Sequence, residues 1–375
     1  MTQIPLFLPR FNIPHCLSLI EECLVKGWTG IGYRTEEFEI AWRDYTSCGY
    51  AHFLNSSTSG LNLAVEILAR IHGWPSNSEV ITTPLTFIST NHAILHAGYQ
   101  PVFADCDNSG CLTLNAVEEC ISPETKCIIF VGLGGSIGEL PQISQMCKER
   151  KIGLIVDAAH MAGSTINGMH ANCFGDITVY SFQAVKNLPT ADSGMLCTNN
   201  QDIDCLARKL SWLGIDKDTF QRSRAGSYKW DYDVCELGYK YHGNSVIASI
   251  ALSQLKSLDS DNEYRRQVAE WYKNSIDQSL VRILYHSNEE TSSRHLFQID
   301  APDRDRLMSF LSEHGISTGV HYKDNSLYSM YKDYTSHARY ARSLWSNLVT
   351  LPCHLGITQN DAERIGSTIN QYFSL

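Results

Sequence analysis

Between residues 50 and 200 the chain alternates short apolar runs with stretches whose apolar positions recur every three or four residues. The runs 79–81, 101–103, 127–131, 153–156 and 177–182 predict strands. The stretches between them predict helices, as at 61–71, where Leu61, Ala64, Val65 and Leu68 share one face. Strand–helix alternation of this kind implies an α/β fold, a mostly parallel sheet with helices on both faces.

The pattern changes after residue 215. Segment 216–233 is polar and aromatic, brings Lys217, Arg222, Arg224 and Lys229 close together, and predicts a long surface loop. A helix follows over 245–258, with Ile247, Ile250, Ala251, Leu255 and Leu258 in one stripe. Then come a polar break at 287–294, a strand at 295–299 and a helix at 304–314. The last helix should open at Thr358, with Asp361 three residues on as in a capping box and Ile365, Ile369 and Tyr372 inward. The expected organisation is a large domain, 1–244, and a smaller α+β domain, 245–375.

Composition narrows the classes. With 375 residues, 43% hydrophobic and 19% charged, the chain is of ordinary globular type, which excludes coiled coil, collagen and disorder. Its length exceeds the ~250–300 residues at which one core stops growing, which favours two domains. No apolar run approaches the ~18 residues of a membrane helix. Prolines interrupt the N-terminal stretch where a signal peptide needs continuous apolar residues, so a cytoplasmic protein is expected. A net charge of −10 lacks the basic footprint of nucleic-acid binding. The 13 cysteines include no CxxC pair, which argues against a zinc site and a disulfide framework; no metal is expected.

In open parallel sheets ligands gather at the carboxyl ends of strands, so the segments that follow the strands carry the candidate chemistry. Residues 55–60, Asn-Ser-Ser-Thr-Ser-Gly, open the helix at Leu61 with short hydroxyl side chains; they suit a phosphate, or simply cap the helix. Phe87 follows strand 79–81 and could stack on a flat ring or belong to the core. Asp157 ends an apolar strand, where a carboxylate needs a partner: a helix cap at Ala158 or a protonated ring nitrogen. Lys186 lies beyond strand 177–182 in a span, 179–188, with no other charge, where burial would make its amine nucleophilic. Together the four supply a phosphate cup, a ring stacker, a pyridine-nitrogen partner and a Schiff-base lysine, the needs of a pyridoxal phosphate (PLP) enzyme. A rival lies at Gly132, Gly134 and Gly138, with Asp157 about twenty residues on, which imitates a dinucleotide fingerprint and would suit an NAD-dependent oxidoreductase. There Pro141 falls where the helix should already be running, and the third glycine is one residue late.

At these segments the chain resembles the PLP-dependent nucleotide-sugar aminotransferases of the DegT/StrS kind. The likeness runs through Gly27-Trp-Thr-Gly-Ile-Gly32, residues 55–64, 79–87 and 98–105, Asp157-Ala-Ala-His160, Ser181-Phe-Gln-Ala-Val-Lys186-Asn187, residues 238–244, and His321-Tyr322. It implies a fold-type I enzyme in which Lys186 is the Schiff-base lysine and Asp157 the partner of the ring nitrogen. Phe87 would stack, His160 would sit near the ring hydroxyl, and Thr58, Ser59 and Ser181 would hold the phosphate. The family is homodimeric, and the partner's loop 238–244 would complete the site, through Lys240 where the family has an amide, or through Asn244. Thr29, His321, Tyr322, Arg222 and Arg224 are candidates for substrate contacts, the two arginines for a diphosphate. Ser193, in place of a family glycine, would narrow the approach. His295, Trp212 and Trp230 read as packing. The implied reaction is ping-pong transamination from an amino acid, L-glutamate by resemblance, to a nucleoside-diphosphate keto-deoxysugar. A PLP-dependent sugar dehydratase is the alternative, although relatives of that kind carry histidine at the lysine position.

Overall fold

The computed structural model describes residues 3–215 and 232–374; Lys217, Arg222, Arg224, Lys229 and Trp230 lie outside the described residues. Helices α1 (Ile13–Lys26) and α2 (Tyr33–Thr46) precede the first strand. The large sheet is then built from β1 (Tyr50–Leu54), β2 (Glu79–Thr82), β3 (Gln100–Phe103), β4 (Thr125–Val131), β5 (Gly153–Asp157), β8 (Ile177–Ser181) and β9 (Gly194–Thr198), with a small hairpin of β6 (Thr165–Ile166) and β7 (Met169–His170) after β5. Its order is β1-β9-β8-β5-β4-β2-β3. The ladder from β8 to β3 is parallel, and β9 runs antiparallel to both its neighbours. The mostly parallel α/β fold read from the alternation is therefore present, with β1 and β9 added to the strands expected.

The crossovers are α3 (Ser57–His72), α4 (Ile88–His96), α5 (Leu114–Cys120) and α6 (Leu140–Arg150), with α7 (Gln201–Ser211) following β9. Strand residues divide by the two-residue period of the pleat. Ile128, Phe130, Leu154, Val156 and Tyr180 join Phe38 and Trp42 of α2 and Leu140 and Ile143 of α6 in one core. Cys127, Ile129, Ile155 and Val179 join Leu61, Ala64, Val65 and Leu68 of α3 in another on the opposite face. Gly60 fits there because a Cβ would stand 2.7 Å from a Val179 methyl.

The helix expected over 245–258 is two: α8 (Ser245–Leu255) and α9 (Leu258–Ser275). Helix α8 packs on α1 and α2, and its Ala248 and Ala251 belong to the large core. A third core takes in Ile4 from the start of the chain and then Val268 of α9 onward, and surrounds a sheet of β10 (Arg282–Ile283), β11 (Phe297–Asp300) and β12 (Leu348–Leu351) in the order β10-β11-β12. Helices α10 (Arg304–Glu313) and α12 (Gln359–Ser374) cover it, while α11 (Arg339–Asn347) leads into β12. Thr358 and Asp361 form the reciprocal bonds of a capping box: the Thr358 amide donates to Asp361 Oδ2 at 3.0 Å, and the Asp361 amide to Thr358 Oγ1 at 3.2 Å.

The polar break at 287–294 turns out to be a seam between the cores. Ser292, Ser293 and Arg294 are buried. Ser293 Oγ donates to the His160 carbonyl at 2.6 Å, and its amide donates to Ser164 Oγ at 2.9 Å. The glycine run after β4 is a tight turn, not a helix start. A Cβ on Gly135 would meet Ser293 Oγ, one on Gly132 would meet Met161, and α6 begins only at Leu140. The geometry that a dinucleotide fingerprint needs is therefore missing.

Candidate active site

The carboxyl ends of the parallel strands open on one cavity of about 410 Å3. Val131 ends β4, Asp157 ends β5 and Ser181 ends β8, and all three line it. The turn after β2 contributes Thr86 and Phe87, and the amino end of α3 contributes Ser56, Ser57 and Thr58. His321 and Tyr322, which follow α10 in the chain, close it from the C-terminal half, with Tyr322 packed against the large core.

Lys186 stands in the connection between β8 and β9, which is a braced extension of that hairpin. Phe182 N–H donates to the Ser193 carbonyl at 2.9 Å, Ala184 N–H to Ala191 at 2.9 Å, and Lys186 N–H to Gln183 at 2.8 Å. Thr190 Oγ1 caps the Phe182 carbonyl at 2.6 Å. The lysine is thus presented by a fixed loop. Burial lowers its pKa to about 8, against an opposing attraction from Asp157.

Asp157 is buried and accepts from Thr90 Oγ1 at 2.7 Å and from the Ala159 amide at 3.1 Å. Burial raises its pKa, and these two bonds and Lys186 offset that in part. A desolvated carboxylate with so few donors is stabilised by any cation that joins it.

His160 and His295 have definite tautomers. The Gly134 amide donates to His160 Nδ1 at 3.2 Å, so Nε2 carries the proton and donates to the Tyr322 hydroxyl at 3.1 Å. Asn187 Nδ2 donates to Asn262 Oδ1 and to the Ser293 carbonyl, both at 2.7 Å, which fixes its amide. Asn187 Oδ1 therefore accepts from His295 Nδ1 at 2.9 Å and leaves the Nε2 lone pair facing Lys186 Nζ at 3.4 Å. Burial holds both imidazoles far below their usual pKa, and the Lys186 charge adds to the effect. His321, whose Nδ1 lies 3.0 Å from Thr350 Oγ1, is likewise lowered by burial, to about 4. The site therefore keeps its imidazoles neutral around one amine.

The other candidates divide. Thr58, Phe87, His160, Ser181, His321 and Tyr322 line the cavity with Lys186 and Asp157. Ser59 turns inward: its hydroxyl donates to Asn55 Oδ1 at 2.6 Å and its amide to the N-cap Ser56 Oγ at 3.1 Å. The helical rotation puts Ser57 on the cavity in its place. Lys240 Nζ sits over the Trp212 ring at 3.6 Å, and Asn244 caps α8 by accepting from the Ile247 amide at 3.0 Å. Neither lines this chain's own cavity, and the exposed Thr29 does not line it either. His295, read from its sequence context as packing, is instead the neighbour of the lysine. Thr90 and Asn187 escaped the sequence reading too. Their only signal is a polar side chain next to a site residue or on the inner face of a helix.

These residues fit PLP. The α3 N-terminus offers backbone N–H groups, a positive dipole end and three hydroxyls toward a phosphate. Gly194 makes room behind it, since a Cβ there would stand 2.6 Å from the Ser57 nitrogen. The buried Asp157 carboxylate suits a protonated ring nitrogen, and Lys186 supplies the amine.

Comparison with known proteins points the same way. The model of the DegT/DnrJ/EryC1/StrS aminotransferase family matches residues 14–370. An uncharacterized protein of Methanocaldococcus jannaschii is 29% identical over 387 aligned positions, covering 98% of both chains. The aminotransferase TlmJ of Streptoalloteichus hindustanus superposes with a TM-score of 0.90 at 28% identity over 99% of each chain. Spr1654 of Streptococcus pneumoniae, described as a candidate sugar aminotransferase and solved in a PMP form, gives 0.89 at 26% identity over 98% of each chain. With strand order, strand-end chemistry and near end-to-end similarity in agreement, the chain belongs to the DegT/DnrJ/EryC1/StrS aminotransferase family.

Proposed function

We propose that this chain is a cytoplasmic, homodimeric sugar aminotransferase. It would move an amino group from L-glutamate to the ketone of a nucleotide-linked deoxysugar in two half-reactions. The observation that carries the reading is the convergence of the Lys186 amine and the Asp157 carboxylate on one strand-end cavity, beside the N-terminus of α3. Aminotransferases of this family use PLP, and the S. pneumoniae relative was solved in a PMP form.

Bound in this cavity, PLP supplies an electron sink for the carbon that loses its proton. Ser57, Thr58 and Ser181 would hold its phosphate, Asp157 would keep a proton on its ring nitrogen, and Phe87 would pack against the ring. Lys186 Nζ, whose lowered pKa leaves it unprotonated in about a tenth of molecules at pH 7, against fewer than about one in a thousand for an ordinary lysine, is the base that takes the donor's α-proton and returns it to the acceptor carbon. His295 Nε2 accepts from Lys186 Nζ and so orients its lone pair. A keto-sugar nucleotide panel with L-glutamate, read as 2-oxoglutarate formed and product mass, tests the proposal. An aminated sugar nucleotide is the expected product. A dehydrated sugar formed without an amino donor, or a protein that shows no visible cofactor band after PLP is added, overturns it.

A further inference from the structure

Behind Lys186 lies a second, much smaller cavity of about 20 Å3. Val185 and Lys186 line both it and the strand-end cavity, so the lysine loop is the partition between them. The other walls come from residues 7–10 ahead of α1, from Asp261 and Arg265 of α9, from His295, and from residues 353–355 after β12.

Arg265 is the anomaly in these walls. It is only 8% exposed, and a guanidinium stays charged throughout the pH range of a folded protein. Yet among the described residues its one side-chain bond runs from Nη1 to Asn262 Oδ1, at a long 3.4 Å. That oxygen already accepts from Asn187 Nδ2 at 2.7 Å. Burial lowers the pKa of Arg265 and no carboxylate reverses the effect, in contrast to Arg208, which Glu39 and Asp204 hold above its usual value. The other N–H groups of Arg265 are thus left to the cavity.

The neighbours that could supply a negative charge do not. Asp261, one turn earlier on α9, accepts from Ser257 Oγ at 2.9 Å, and no ion pair joins it to the guanidinium. The Cys353 thiol is pushed up to about 11 by burial and so keeps its proton, facing the Arg265 and Arg294 carbonyls at 3.7 and 3.6 Å. Arg294 itself is engaged by Glu289. His354 accepts from the Gly356 amide at Nδ1 and donates from Nε2 to the Pro5 carbonyl at 2.9 Å, and burial keeps it neutral, as it does His295. The exposed Arg10 and the Lys186 amine add only positive charge.

A buried cation without a counter-ion is costly, so an anion that enters is stabilised. Size decides which. A cavity needs roughly 10–15 Å3 on this measure to admit one water, so this one holds one or two particles of that size. A phosphate or an amino acid exceeds it, whereas a monatomic anion, little larger than water, fits. On a chain of net charge −10 the overall field offers such an anion nothing, and a local cation is what can hold it. We propose that this cavity binds chloride against the Arg265 guanidinium, and that the ion fastens the N-terminal segment and α9 to the back of the lysine loop. The site contacts neither substrate nor cofactor, and it stands independently of the transamination reading.

The test uses the PLP-loaded full-length protein. Crystals grown without halide and soaked in sodium bromide should show an anomalous bromide peak beside the Arg265 guanidinium. Melting temperatures at saturating sodium chloride should exceed those in sodium gluconate of equal ionic strength by about 2 °C. Arg265→Gln, which keeps a polar side chain but no charge, should lose that difference, and Arg265→Lys should keep part of it. Should neither variant fold, the bromide map and the melting shift of wild type decide the question. A map with no bromide beside Arg265, water alone filling the cavity, overturns the proposal. A peak without a chloride-dependent melting shift is binding at crystal concentration only and overturns it too. So does a shift that Arg265→Gln retains in full, since the ion then acts elsewhere.

Discussion

A lysine amine enclosed by Asp157, His160, His295 and His321 cannot hold its proton as a surface lysine does. Folded, Lys186 titrates at about 8; unfolded, it returns to 10.5. Between these values the unfolded chain binds a proton that the folded chain lacks, so stability rises as pH rises through the window. Denaturant midpoints of the cofactor-free protein, compared with Lys186→Met, should show wild type the less stable at pH 7.5 and the gap closing by pH 10.5. A gap that does not change with pH would show that burial is not what perturbs the amine. Catalytically, Lys186→Ala should lose the proton carrier and at least ~10²-fold in rate, together with the lysine-linked cofactor band. Asp157→Asn should keep the shape but lose the charge, lowering the amine-transfer rate on the order of 10²–10³-fold. Single-turnover absorbance with L-glutamate reads both.

At the scale of elements, one contact joins the lysine hairpin to the helix expected to hold the phosphate. Gly194 opens β9 opposite Ser181 and lies where a Cβ would strike the Ser56–Ser57 backbone. Gly194→Ala should therefore push α3 away from the cavity, cost about 1–3 kcal/mol of stability and weaken cofactor retention; thermal melts and dialysis against buffer without PLP measure each. This scale also shows how far the sequence could be read. The strands between 79 and 182 were legible because each is an apolar run followed by a polar break, and the strand-end rule then picked out Asp157 and Lys186 without any contact map. Strand β1 escaped because His52 interrupts its apolar run and the strand leads straight into the Asn55–Ser59 cap. Strand β9 escaped because Gly-Met-Leu-Cys-Thr lacks the β-branched character of its neighbours. The place of His295 was illegible for a different reason. Nothing local marks it, and its role arises from Asn187, more than a hundred residues away in sequence, which dictates its tautomer. Ser59 shows the limit of a linear motif: the helix's rotation, not the order of hydroxyls, decides which of them faces the cavity.

The whole molecule presents an apolar face outward. Ile13, Leu17, Leu24 and Val25 of α1 are exposed, as is Ile40 of α2. Such a patch is what a self-association surface looks like. Sedimentation should find a species of twice the chain mass, and Leu17→Lys combined with Val25→Glu should shift it toward monomer; a monomeric wild type would contradict the homodimer. Among the described residues no helix is long and apolar enough to cross a membrane.

The seam at Ser293 has one more implication. Its hydroxyl satisfies the His160 carbonyl and its carbonyl satisfies Asn187, so two groups of the first half are completed only by the second. A fragment stopping at residue 244 would carry both the nucleophile and its acidic counterpart and still be colourless. Separately expressed halves should gain the yellow of bound vitamin B6 only on re-association, which would make the appearance of colour a gauge of how firmly the two pieces grip one another.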